Sequence, residues 1–198
     1  MSDTILIHPP GSSHPSLADG PTGFDRKWLM GKWGVTWSTL PMWKDKKDVV
    51  ITYDPVAAET RIDTTFDSTV EYRKTSAAAN SKPSTVRGSE TLSTGANGAT
   101  FDWRGKSYLF FVTSHWEILG YGKDDSNGLD WAVTFFSKTL FTPAGIDIYI
   151  RASPSATVPA STEARIALRD KLVSLLKNNE DQGVVKLADG GFEVPGTV

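Results

Sequence analysis

The feature that most constrains this chain is a side-chain alternation of period two that recurs run after run, with only short polar breaks between. It is clearest in residues 59–72, where Ile62, Thr64, Phe66, Ser68, Val70 and Tyr72 alternate with Arg61, Asp63, Thr65, Asp67, Thr69 and Glu71. Successive side chains of a strand point to opposite faces, so such a run buries one face and wets the other. Trp33, Val35 and Trp37 start another run, and Val49, Ile51 and Tyr53 share a face of residues 48–54, which Pro55 ends. Further runs cover residues 84–93, then Ala99, Phe101 and Trp103, then residues 107–121, 129–137 and 145–152, the last with Ile146, Ile148 and Ile150 expected inward and Asp147, Tyr149 and Arg151 on the other face. Eight such strands joined by short turns predict an all-β fold, an eight-stranded antiparallel up-and-down β-barrel, wide enough to hold side chains or one small ligand.

The period then changes. In residues 161–179 a Ser/Thr cap, Glu163 in the first turn, Leu168, Leu172, Leu175 and Leu176 at helical spacing and Lys177 near the end predict one amphipathic helix. Its stripe is expected on the outside of the barrel; a homodimer face is the other use for it. Residues 1–22, rich in Pro, Gly and Ser, read as a flexible arm, residues 23–182 as barrel plus helix, and residues 183–198 as a tail. A short helical turn over residues 24–30 precedes Gly31, which lets the chain bend sharply into the first strand.

Charge and composition exclude several functions. A formal net charge of −2 carries no footprint for nucleic acid or an anionic membrane surface. The absence of cysteine removes disulfides, thiolate zinc sites and thiol nucleophiles together. The three histidines are scattered, with no metal-ligand spacing, and no phosphate loop, nucleophile elbow or cofactor cradle is visible, so neither metal nor cofactor is expected. With no basic, apolar leader and no run of about 18 apolar residues, the chain reads as soluble and cytoplasmic, without membrane insertion.

Three places resemble the lipocalins, in the wider calycin group. Phe24-Asp25 followed by Gly31-x-Trp33 is similar to the family's first signature, Leu129-Asp130-Trp131 to its second with tryptophan in place of the usual tyrosine, and Arg151 at the end of the last strand to its third. The likeness runs over about residues 24–180, one helix after eight strands. It implies that Trp33 lies on the barrel floor with Arg151 packed across it, both as scaffold. It also implies a barrel for an apolar ligand, with the intracellular barrels of this type resembling those recruited in small-molecule biosynthesis as cyclases, isomerases or Diels-Alder catalysts. Most family members are secreted and disulfide-linked, which this chain's composition does not match.

If the alternation holds, Trp37, Thr64, Phe66, Ser68, Phe101, Trp103, Trp116, Trp131, Val133 and Phe135 line the interior, together with Tyr53 and Tyr72. A pocket so furnished suits a small hydrophobic molecule with one or two oxygens. Glu90 shares the inward set with Val86, Gly88 and Leu92, and a carboxylate on an apolar face must be paired, neutralised or kept for chemistry. Pairing with Arg104, or a bulge that turns it outward, are the alternatives to a protonated acid that donates to ligand oxygen, with Tyr53 or Tyr72 holding that oxygen. His115 is a second candidate acid or base, and the alternation leaves its direction open. Conversion of the ligand without a cofactor and simple carriage both remain as functions.

Overall fold

The computed structural model describes residues 5–56, 64–78 and 80–196; residues 59–63, expected in the third strand, lie outside the described residues. Entry into the barrel is set by Asp25, whose carboxylate accepts from the Lys27 amide at 2.9 Å and caps helix α1 (Arg26–Leu29). Gly31 follows with φ +99°, a left-handed conformation that a side chain would strain, and turns the chain into strand β1 (Gly31–Ser38). Strands β2 (Lys46–Pro55), β3 (Thr65–Lys74), β4 (Ser84–Leu92), β5 (Thr100–Gly105), β6 (Thr113–Asp124), β7 (Leu129–Phe136) and β8 (Gly145–Ala152) follow. Each is antiparallel to the next, and β1 pairs with both β8 and β2, which closes the ring. The architecture is the lipocalin-like eight-stranded barrel that the alternation and the resemblance lead one to expect.

Trp33 and Arg151 take the floor positions. The Trp33 indole is fully buried and donates to the Leu29 carbonyl at 2.7 Å, while the Arg151 guanidinium lies 3.9 Å from its ring centroid. Arg151 also donates to Asp130 at 2.9 and 3.0 Å and to the carbonyls of Met30 and Trp28 at 2.7 and 2.6 Å. One cation therefore ties α1, β7 and β8 together at the closed end.

Outside the wall, Ser161 caps helix α2 (Thr162–Lys177), and Asp181 caps helix α3 (Gln182–Ala188). Leu168, Leu172 and Leu176 of α2 pack with Leu129, Trp131, Val133, Ile146, Ile148 and Ile150 of the sheet. The apolar stripe is spent on the barrel, so it is not free to serve as a dimer face. A short strand β9 (Phe192–Glu193) then pairs with the end of β1, and the Asp48 amide donates to the Pro195 carbonyl at 2.9 Å. The chain thereby fills the gap where β1 and β2 diverge. Residues 5–14 run along the outer wall, with Gly11 donating to the Glu117 carboxylate at 2.8 Å and the Ile7 carbonyl accepting from Asn179 at 2.9 Å, and Leu17 then buries itself in the interior cluster beside Phe24 and Trp33.

Four local expectations change. Residues 107–112 are a turn rather than the start of a strand, with Ser107 at φ +57°. The sixth strand starts at Thr113 and leaves Tyr108 and Phe110 exposed. A register shift between Val35 and Trp37 turns Trp37 to the outer face, where it joins the helix-side cluster, and brings Ser38 inside. In β7 and β8 the expected faces are reversed: Trp131, Val133, Ile146, Ile148 and Ile150 lie under the helices, and Tyr149 and Asp147 point inward. Both faces of these two strands are buried, so both are free to be apolar.

Candidate functional site

A cavity of about 300 Å³ opens at the barrel end opposite α1. Its walls are apolar, set by Ile51, Val70, Tyr72, Val86, Trp103 and Phe136 among others, and interrupted by two carboxyl groups, Glu90 from β4 and Asp147 from β8. Three connections frame its opening: residues 39–45, 106–112 and 137–144, which contribute Leu40, Met42, Leu109, Val112, Thr139, Phe141 and Thr142.

Glu90 is 2% exposed. It accepts from the Trp116 indole N–H at 2.8 Å, and burial pushes its pKa up to about 7 against the pull of hydrogen bonds from Trp116 and Ser68. Arg104 does not pair with it; that guanidinium donates to the Phe110 carbonyl instead. Trp103 lies across the glycine of the neighbouring strand to reach Ser68, donating to its hydroxyl at 3.1 Å. A Cβ at Gly88 would come within 1.9 Å of the Trp103 Nε1, so the absence of a side chain there lets this indole lie flat in the wall.

Asp147 is the same kind of group on another strand. It is 1% exposed, accepts from the Ser38 hydroxyl and, at 3.2 Å, from the Trp43 indole, and burial raises its pKa to about 7. Between the two acids stand Tyr53 and Tyr149. Burial raises both phenols well above their ordinary value, and the charges of Glu90 and Asp147 push in the same direction. The Tyr53 ring stacks on Trp116 at 5.7 Å, which fixes its direction. The Tyr149 hydroxyl is buried beside those of Tyr53 and Thr134 without completing a hydrogen bond of good geometry.

Chemically, the arrangement is two carboxyl groups poised between acid and base near neutrality, with two phenols that stay protonated. A protonated carboxyl donates to a carbonyl or a departing hydroxyl; an ionised one accepts a proton from carbon or oxygen. Among the described residues, no arginine or lysine pairs with either acid.

Of the residues singled out from the sequence, Glu90, Tyr53, Tyr72, Ser68, Trp103 and Trp116 come together around this cavity. Phe66 and Phe101 also point inward, but they pack on each other at 5.2 Å and against Tyr53 and Trp116 in the solid core beside it. Trp37, Trp131, Val133 and Phe135 belong to the outer cluster under the helices, and Thr64 is an exposed turn residue before β3. His115 points away from the cavity. Its Nδ1 meets the Asp102 carboxylate at 2.7 Å on the outer wall, where Ser93 donates to the same carboxylate at 2.6 Å. Burial opposes ionisation of Asp102, but the bonds from Ser93 and His115 outweigh it and hold the carboxyl below its usual value. The Ser93 hydroxyl is thus turned toward Asp102 rather than primed by the imidazole.

Asp147 and Tyr149 are the residues that sequence reasoning missed, and the signal for them was present. Arg151 must point inward to cover Trp33, and side chains of period two carry Tyr149 and Asp147 to the same face. Among the described residues, no group of three or more His, Cys, Asp or Glu side chains is arranged to hold a metal ion, and no helix is long and apolar enough to cross a membrane.

No protein-family model matches the chain, and no curated protein matches it. Among solved structures it is similar to apocrustacyanin C2, at 11% identity over 87% of this chain and 81% of that one with a TM-score of 0.49. Lobster apocrustacyanin A1 matches at 10% identity over 100% and 94% of the two chains with a TM-score of 0.48, and the siderocalin Ex-FABP at 12% over 86% and 95% with a TM-score of 0.45. Likeness at this level carries nothing about the ligand, and the function has to be argued from the cavity itself.

Proposed function

We propose that the barrel takes up an apolar small molecule bearing one or two oxygens and converts it, without a cofactor, by acid–base chemistry between Glu90 and Asp147. The observation that carries this reading is the pair of buried carboxyl groups, each with a pKa near 7, in one otherwise apolar cavity. Burying either group costs free energy, and acids brought near neutrality by burial are characteristic of proton-transfer sites. Cyclisation, isomerisation, dehydration and cycloaddition of the Diels-Alder type all suit such a container, which orients a reactive chain and polarises one of its oxygens. Tyr53 and Tyr149 donate to or accept from that oxygen while the carboxyl groups move the proton.

A carrier is the second reading, and one observation favours it: Glu90 and Asp147 already have indole and hydroxyl donors of their own. The two readings separate by experiment. Native mass spectrometry of the purified protein identifies a co-purifying compound, whose conversion is then followed by chromatography. In the enzyme, Glu90→Gln, Asp147→Asn and Tyr53→Phe keep affinity within about threefold while turnover falls by about 10²-fold or more. No conversion by the parent, with all three variants losing affinity alone, would establish the carrier. An intracellular site of action belongs to the same proposal and is tested by fractionating cells that express the full chain.

A further inference from the structure

Among the described residues, six of the nine exposed large apolar side chains gather at one end of the barrel, while Leu6, Val158 and Ile166 lie elsewhere. Met42, Tyr108, Phe110, Phe111, Leu140 and Phe141 all lie on the three connections that frame the cavity opening, with Leu140 97%, Tyr108 71% and Phe141 69% exposed. Two of them, Met42 and Phe141, also line the cavity, so the exposed patch is continuous with its interior.

The loops that carry these side chains are built to hold them outward. In residues 139–142 the Thr139 amide donates to the Thr142 carbonyl at 2.9 Å, and the Thr139 hydroxyl accepts from the Phe141 and Thr142 amides at 3.0 Å. Polar groups are thus satisfied inside the loop while Leu140 and Phe141 project. In residues 106–112, the Lys106 amide donates to Arg87, Val112 to Leu109, and Arg104 to the Phe110 carbonyl, with the same result for Tyr108, Phe110 and Phe111.

Charge at this end differs from that of the whole chain. The four connections here, residues 39–45, 75–83, 106–112 and 137–144, carry Lys44, Lys82, Lys106 and Lys138 against Asp45 alone, in a chain with 21 basic and 23 acidic residues. Asp45 is paired with Lys46 at 2.5 Å and Lys106 with Asp67 at 2.6 Å, so the excess of positive charge comes from Lys44, Lys82 and Lys138. Aromatic and leucine tips ringed by exposed lysines match the chemistry of an anionic bilayer surface, where rings and aliphatic groups sit at headgroup depth and ammonium groups meet phosphate. Projecting tips on separate loops around a hole also present no flat face for a protein partner to cover.

We propose that the open end of the barrel docks on an anionic lipid surface, so that a membrane-dissolved ligand passes between Met42 and Phe141 into the cavity. The ligand passage rests on the function proposed above; the docking itself does not, and is measured without ligand. Flotation with vesicles of phosphatidylcholine alone, and of phosphatidylcholine mixed with phosphatidylserine, gives the partition coefficient at low and high salt. The intact chain is expected to float with the mixed vesicles, less with the neutral ones, and less again as salt rises. Phe110→Ser, Phe111→Ser and Leu140→Ser combined remove about a hundredfold or more of that partitioning. Lys82→Gln with Lys138→Gln removes about 25-fold, at about fivefold per lysine. These five positions lie outside the cavity, so both variants retain the melting temperature and the ligand affinity of the parent. Equal flotation of the parent and the serine variant, or none by the parent, would overturn the proposal. So would light scattering that shows a dimeric parent and a monomeric serine variant with no difference on vesicles, since the patch would then be a self-association face.

Discussion

Replacing Glu90 by glutamine isolates one of the two buried acids. In the folded protein this carboxyl ionises near 7, against 4.5 for the free group. Between those values the folded state keeps a proton that the unfolded chain has released. Stability is therefore full below about pH 4.5, falls as pH rises through 7, and levels off above it. The difference corresponds to about 3 kcal/mol for a group that is almost wholly buried, and Asp147 adds a fall of the same sign from 3.8 to about 7. Glutamine keeps an oxygen for the Trp116 indole but cannot ionise. Urea unfolding followed by tryptophan fluorescence should show parent and Glu90→Gln within about 1 kcal/mol at about pH 5, and the variant more stable by up to about 3 kcal/mol at about pH 8. The Asp147 part of the slope remains in the variant. Identical pH slopes for the two proteins would refute the reasoning, because Glu90 would then ionise in the fold as freely as in water.

Other expectations follow from the same structure. Arg151→Ala leaves Asp130 buried without its cation and uncovers Trp33, and should cost about 3–5 kcal/mol in urea unfolding while ligand selectivity is unchanged; a variant with the parent's melting temperature would contradict the floor assignment. Trp131→Ala opens a gap under α2 and should cost about 3 kcal/mol, yet leave ligand affinity within about twofold, since the indole lies outside the wall. Gly88→Ala drives a methyl group into the Trp103 ring, which must swing away from Ser68. Fluorescence titration should show weaker ligand binding, with a stability loss of about 1–3 kcal/mol.

The barrel itself was legible because β2, β3 and β4 each have one face in the interior and one toward solvent, and period-two contrast reports that difference directly. For the same reason Glu90 was legible, as the charge that breaks an inward apolar set. In β7 and β8 the contrast vanishes. Ile146, Ile148 and Ile150 are buried by the helix that follows β8, and a short pattern cannot distinguish burial in a barrel from burial under a helix. Trp37 was misplaced by one extra residue in β1, which leaves no trace in composition. The net charge of −2 was read correctly as a sum, but a sum is silent about how lysines and acids are distributed between the ends of a barrel.

The strand β1 has a further consequence, for the order in which the molecule can be assembled. Over eight residues it is bonded to β2, β8 and β9 in turn. The bond from the Thr36 hydroxyl to the Ile148 carbonyl spans 112 residues of chain. The hairpins β2 to β8 can form from near neighbours, but this seam cannot, and loop closure over such a distance makes it a slow, late event. Until it zips, an unpaired edge on β1 stands open beside one on β8, with Trp33 waiting for Arg151 to cover it. The seam is thus where a partly folded chain is most exposed to pairing with a second copy of itself.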